Sequence, residues 1–270
     1  MKKPKAYIIG QAGNHRNPIL KDQLAPWFEV VEENGFVDSL SLTGDIENYV
    51  DVPLFESIIF RSPSPTEVAC YLAHLQAWGW LLGSDHDYLA VFEDDARLVL
   101  NDLSHLVAHL GKLRGPWQVA LERREGDFLV SHFLTRSPSI RRALIQPRGA
   151  GAYVISKEAA RLGIEDWKRD GRIKGVADLA PGPSRLFKYF VHLPPIFNND
   201  TVSQSLIGER NSRILDWRVK LQRILSTALS KDRRPYERFG FHLKMRRFGK
   251  YLLSTHFWTT WYIRRREKNL

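Results

Sequence analysis

Apolar residues fall into short runs divided by polar, Gly- and Pro-bearing stretches, and the period within each run predicts strands alternating with helices. Residues 5–10 read as a first strand, and Gly10 to Pro18 as a polar turn after it. A helix is expected over 19–34 with Gly35 as its stop, and a short strand over 55–60. Ser64-Pro65-Thr66-Glu67 predicts a helix start: Ser64 at the N-cap, Pro65 in the first turn, and Glu67 closing a capping box. That helix should run to about Leu82, with Val68, Leu72, Leu75, Trp78 and Leu82 on its apolar face. Tyr88 to Phe92 is a continuous β-favouring run, the signature of a strand buried on both faces. A helix beginning at Asn101 or Asp102 and ending at Gly111 follows, then a strand over 116–122 and a long loop or hairpin over 123–148. The stretch 149–160 should hold a short apolar strand and then a helix that starts at Lys157 with Ser156 as its cap, and 189–197 a last strand broken at Pro194-Pro195.

Charge changes the picture at the far end. Residues 1–209 carry 23 Lys/Arg against 26 Asp/Glu, whereas residues 210–270 carry 17 against 4, so the basic excess belongs to the tail. Basic positions there mix with Phe248, Tyr251, Phe257, Trp258, Trp261 and Tyr262, a pattern that fits an anionic lipid surface or stacking on nucleic acid. A helix that covers the core or forms a dimer is the structural alternative, and homo-oligomerisation stays open. The expected domains are a catalytic unit over 1–209 and an amphipathic helical tail over 210–270. One cysteine, Cys70, excludes an intrachain disulfide and suits a reducing compartment. The apolar run Ala6–Ile9 is too short for a secretory signal, and no stretch approaches a membrane span, so a cytoplasmic protein is expected.

The candidate chemistry centres on Glu93-Asp94-Asp95, which ends the buried run. Open α/β sheets bind ligands at the carboxyl ends of their strands. Three adjacent carboxylates repel one another, and a hard divalent cation bridging them to a phosphate would relieve that cost. An acidic turn in water is the plain alternative. Cys70 and His74, four apart, share a helix face, and His74 is read either as a hydrogen-bonded packing residue or as a neighbour of a ligand. His105 and His109 read as a surface pair. His192 stays open between a third ligand to a metal on Asp95 and an ordinary buried histidine. Asp178, after the weakly apolar Gly175-Val176-Ala177, is open between a catalytic carboxylate and a turn residue.

Three blocks together carry a resemblance: Glu67-Val68-Ala69-Cys70-Tyr71-Leu72-Ala73-His74-Leu75-Gln76-Ala77-Trp78, then Val91-Phe92-Glu93-Asp94-Asp95-Ala96, then Gly151-Ala152-Tyr153-Val154-Ile155-Ser156-Lys157-Glu158-Ala159-Ala160. In order and spacing they resemble family 25 of the glycosyltransferases, enzymes of bacterial lipopolysaccharide and lipooligosaccharide synthesis. Ala69 and Ala73 stand where that pattern has Gly and Ser. The resemblance implies an α/β, GT-A-like fold, a Rossmann-like mixed sheet flanked by helices, to which charge and periodicity add a basic helical C-terminal extension. It implies transfer of a hexose, commonly galactose from UDP-galactose, to a glycan hydroxyl of a lipid-linked acceptor. Asp95 with Glu93 would then hold Mn²⁺ or Mg²⁺, Asp94 would meet the ribose, and Arg16 and His74 the nucleotide. Lipopolysaccharide galactosyltransferases that resemble this chain invert the anomeric centre, and Asp178 is the residue chosen as base. The tail would meet the inner face of the inner membrane, and no nucleic-acid partner is expected. The rival readings are a metal-dependent nucleotidyltransferase or nucleotide-sugar hydrolase on the same acids, and a non-enzymatic nucleic-acid or anionic-surface binding protein built on the tail.

Overall fold

The central run behaves as its composition demands. In the computed structural model, Leu89, Ala90, Val91 and Phe92 are each fully buried, with sheet neighbours on both sides and helices on both faces. The structure describes residues 3–199, apart from 12–13, 32–36, 43, 45, 60–61, 100–101, 123–129, 132–138, 144–148 and 174–186. The chain divides into two compact units, one of Met1–Val52 with Pro63–Ser212 and the other of Pro53–Ser62 with Arg213–Leu270. The expected basic tail lies outside the described residues.

The strands are β1 (Lys5–Ile9), β2 (Glu29–Val30), β3 (Tyr88–Glu93), β4 (Ala96–Leu98), β5 (Trp117–Ala120), β6 (Val130–Ser131), β7 (Ile140–Ala143), β8 (Ala152–Ser156), β9 (Lys188–His192) and β10 (Phe197–Asn199). The helices are α1 (Arg16–Leu24), α2 (Ile46–Tyr49), α3 (Val52–Ile59), α4 (Pro65–Gly83), α5 (Ser104–Leu110) and α6 (Lys157–Asp170). Among the described residues, eight strands form one mixed sheet in the order β2-β1-β3-β8-β5-β9-β7-β6, and β10 pairs with β4 in a small second ladder. β1 and β3 are parallel, with Ile9 opposite Glu93, and β8 runs antiparallel between β3 and β5. This mixed sheet with flanking helices is the α/β arrangement that the resemblance implied.

Alternation along the strands sorts the core into two layers. Ala6, Ile8, Ala90, Phe92, Ala152 and Val154 join Leu20, Leu24 and Phe28 of the α1 region and Leu106 and Leu110 of α5. On the opposite face, Tyr153 meets Trp78 and His74 of α4. α4 begins with the predicted capping box: the Glu67 amide donates to Ser64 Oγ at 3.3 Å, and the Ser64 amide donates to Glu67 Oε2 at 3.2 Å. Its buried side turns slightly from the predicted one, towards Val68, Tyr71, His74, Trp78 and Leu81, leaving Leu72 and Leu82 half-buried. α6 packs beside α4 and bends the seam that way, because Gly163 lets the Trp78 ring lie where a Cβ would come within 2.2 Å of it. Ser156 serves two elements: its Oγ accepts from the Ala159 amide to cap α6 and from the Trp117 amide to tie down β5.

Two expected elements differ. The helix expected over 19–34 is α1, which begins at Arg16 and ends at Leu24, since Pro26 cannot continue it; the chain then turns into β2, parallel to β1. Residues 55–59 of the expected strand belong to helix α3, where Pro53 in the first turn supplies the fixed φ that suits a helix start, and Phe60 lies outside the described residues. The break at Pro194-Pro195 divides β9 from β10 as expected.

Candidate active site at the carboxyl edge of the central strand

β3 delivers Glu93 at its last residue, and the two-residue turn into β4 carries Asp94 and Asp95. The turn is pinned by backbone: the Glu93 amide donates to Gly151 O at 2.8 Å and the Asp94 amide to Ile9 O at 3.0 Å. Gly10, one residue beyond β1, has no room for a side chain, as a Cβ there would lie 2.8 Å from Asp94 Cβ and 3.0 Å from Asn17 Oδ1. The loop after β1 therefore presses directly on the acids. From it the Asn14 amide group donates to Asp94 Oδ2, and Asn14 Oδ1 accepts from the Arg16 amide at 3.1 Å, which starts α1. Arg97 closes the other side by donating to the Asp94 and Ala96 carbonyls at 2.9 and 2.8 Å.

The electrostatics are those of an acid cluster short of positive charge. Burial pushes the Asp95 carboxyl up to about 6, and the charges of Glu93 and Asp94 push the same way; Arg16 opposes them. Asp94 is raised chiefly by burial, against the pull of Arg16. Arg16 itself is buried, with 6% of its surface exposed, so its charge acts through protein more than through water. Asp95 Oδ1 is buried and has no hydrogen-bond partner among the described residues. A buried carboxylate oxygen with no donor is costly, and a hard cation with oxygen ligands would satisfy it. Asp95 and Glu93 therefore fit Mn²⁺ or Mg²⁺.

Behind the acids lies a second, drier cluster. His74 is fully buried on α4, with Nε2 3.2 Å from Glu93 Oε1 and Nδ1 2.9 Å from the Tyr153 hydroxyl. Trp78 Nε1 donates to that hydroxyl at 2.9 Å, and Cys70 Sγ lies 3.7 Å from Glu93 Oε1. Burial holds the Tyr153 phenol well above its usual titration range, so it keeps its proton.

Of the residues singled out from the sequence, Arg16, His74, Glu93, Asp94 and Asp95 come together. His192 does not. It ends β9, three strand spacings or roughly 14 Å across the sheet from β3, and its Nδ1 lies 2.7 Å from Pro194 O. Burial lowers its proton affinity, as does the charge of His105. His105 is exposed and His109 half-buried on α5, with His109 Nδ1 2.7 Å from the His105 carbonyl. Asp178 lies outside the described residues. Sequence reasoning missed Asn14, Gly10, Trp78 and Tyr153 as parts of the site. Each nonetheless carried a signal, since Trp78 and Tyr153 stand inside the blocks quoted above and Gly10 and Asn14 lie in the polar turn after the first strand.

A fourth carboxylate marks the same edge of the sheet. Glu122 follows β5, is buried, and its Oε1 accepts from the Gly151 amide at 2.9 Å. Gly149 stands at φ +97°, and a Cβ there would fall 2.0 Å from Glu122 Oε1. The glycines before β8 thus make room for a buried acid.

Residues 37–168 match glycosyltransferase family 25 (LPS biosynthesis protein), a span that holds Cys70, His74, Trp78, Glu93, Asp94, Asp95 and Tyr153. No curated protein matches the chain. Among solved structures, the mannose-1-phosphate geranyltransferase of Thermus thermophilus is similar to this chain with a TM-score of 0.41 and 12% identity, over 73% of this chain and 75% of that one. The matched span carries Glu93-Asp94-Asp95 at the carboxyl end of β3, and the chain is a glycosyltransferase.

Proposed function

We propose that this enzyme moves a hexose, galactose being the family's common choice, from a UDP-sugar to a hydroxyl of a lipopolysaccharide or lipooligosaccharide glycan, with inversion and with a divalent cation. The observation that carries the reading is the buried, unpartnered Asp95 Oδ1 among three carboxylates at the carboxyl end of the central strand. Asp95 and Glu93 would hold the cation, which when bound supplies charge neutralisation for the departing diphosphate. Arg16, buried beside the acids, gives the donor phosphates a fixed positive charge with little reorganisation. Asp94, set by Asn14 and by the close approach of Gly10, faces the ribose. The acceptor hydroxyl oxygen forms the new bond to the anomeric carbon as the bond to the diphosphate oxygen breaks, and its proton passes to the Asp178 carboxylate. Basic residues of the tail hold the enzyme at the anionic inner face of the inner membrane.

Calorimetry with UDP-, GDP- and CMP-sugars, each with and without Mn²⁺, tests the donor. The expected result is Mn²⁺-dependent binding of UDP-galactose that Asp95→Ala abolishes; equal affinity in EDTA refutes the metal. Rapid consumption of nucleotide sugar without a glycan points instead to a hydrolase. Asp178→Asn should stop transfer while UDP still binds, and retained turnover removes the base assignment. Binding to anionic liposomes should vanish on deletion of 239–270, and undiminished pelleting removes the membrane role.

A further inference from the structure

The cluster behind the acids has one self-consistent pattern of protons. An indole N–H only donates, so Trp78 donates a hydrogen bond to the Tyr153 oxygen. Tyr153, protonated and fully sequestered, then has its own O–H to place, and His74 Nδ1 at 2.9 Å is the acceptor. A neutral imidazole that accepts at Nδ1 carries its proton on Nε2, which faces Glu93 Oε1 at 3.2 Å. The chain runs one way, from Trp78 through Tyr153 and His74 to Glu93. The Cys70 thiol donates to the same oxygen at 3.7 Å.

We infer that His74 is a positioning residue: fixed in its Nε2–H tautomer by Tyr153 and Trp78, it holds the Glu93 carboxylate in the orientation that the cation-dependent donor site requires. This rests on the reading of Glu93 as part of that site. The need for such a strut is electrostatic. Glu93 stands beside Asp94 and Asp95, whose charges repel it, and the strand end alone does not choose its rotamer. Partners of this kind behind a ligating carboxylate tune a metal site strongly although they do not touch the metal.

The same atoms admit another occupant, because a ligand atom each from Cys70, His74 and Glu93 lie within 4.8 Å of one another, a spacing that suits a thiolate-seeking cation such as Zn²⁺. That cation needs an unprotonated Nε2. Moving the proton to Nδ1 would turn two donors on the Tyr153 oxygen and leave the phenol O–H, in a fully buried place, without the acceptor it now has. The dry side of the cluster therefore favours the strut.

The test uses His74→Leu, His74→Gln and Tyr153→Phe in the full chain. Titration with UDP in Mn²⁺ should show about a tenfold to hundredfold loss for His74→Leu, with UDP affinity in EDTA unchanged. His74→Gln, whose amide N–H₂ reaches towards the place of Nε2, should recover most of that loss. Two-bond ¹H–¹⁵N spectra of the wild-type imidazole should show the Nε2–H tautomer, and Tyr153→Phe should mix the tautomers and weaken Mn²⁺-dependent binding by less than His74→Leu. Unchanged affinity in His74→Leu, or a loss that His74→Gln does not repair, overturns the strut alone. An Nδ1–H tautomer overturns it as well, and so does a thiolate-to-metal absorption band on Co²⁺ addition that Cys70→Ser removes. Absence of Mn²⁺-dependent UDP binding in the wild type overturns the donor reading and the strut together. If His74→Leu does not fold, Tyr153→Phe decides: an unchanged tautomer and unchanged affinity in that variant overturn the strut.

Discussion

Asp95→Asn changes one atom of the acid cluster, and its effect on stability has a sign and a window fixed by the site. In the metal-free protein the Asp95 carboxyl titrates at about 6, against 3.8 for the ordinary group, because burial and the neighbouring charges of Glu93 and Asp94 resist its ionisation. A carboxyl whose folded value is raised destabilises the fold as it ionises. The cost is absent below 3.8, grows between 3.8 and 6, and is complete above 6. At about 1.4 kcal/mol per tenfold change in proton affinity, the full cost is about 3 kcal/mol, an upper figure because the side chain is only partly buried. Asparagine keeps the shape and carries no charge. The difference in unfolding free energy, variant over wild type, should therefore be about 1 kcal/mol at pH 4.5 and up to about 3 kcal/mol at pH 7.5, read by urea unfolding in EDTA. Saturating Mn²⁺ should then stabilise the wild type by about 2.7 kcal/mol at a hundred times its dissociation constant and the variant by much less. A difference that does not grow between the two pH values refutes the account of Asp95 as a strained acid. A variant that gains as much from Mn²⁺ as the wild type refutes its role as the ligand.

Other substitutions probe the frame around the acids. Gly10→Ala puts a Cβ 2.8 Å from Asp94 Cβ, so the loop after β1 must retreat; UDP affinity in Mn²⁺ should fall about tenfold or more, as for loss of a supporting partner of a metal site, and unaltered affinity would show that the contact is idle. Gly163→Ala drives a methyl into the buried Trp78 ring and should cost about 1–3 kcal/mol in urea unfolding; a neutral result would mean that α4 and α6 part without penalty. Ser64→Ala removes the acceptor for the Glu67 amide and should cost about 0.5–2 kcal/mol with donor binding intact. A drop in Mn²⁺-dependent UDP affinity alongside that cost would mean that the start of α4 sets the position of His74.

The sequence alone determined those parts whose cause is local. A capping box is written in four consecutive residues, and the start of α4 follows from Ser64 to Glu67 because the reciprocal hydrogen bonds need nothing from elsewhere. The buried strand that ends in Glu93 was legible because a strand covered on both faces can hold only apolar residues over its length. Where local signals competed, the reading failed: Pro26 outweighs the apolar spacing that suggested a longer first helix, and Pro53 begins a helix where β-favouring residues suggested a strand. Tertiary structure decided which distant groups share the site. Tyr153 reaches His74 because β8 inserts antiparallel beside β3, a pairing that no spacing along the chain specifies, and the same strand order sets His192 at the end of β9, three strands across the sheet from β3. The electrostatic character of Asp95 is likewise a property of the assembled fold, because desolvation depends on what folds over a side chain and not on its neighbours in sequence.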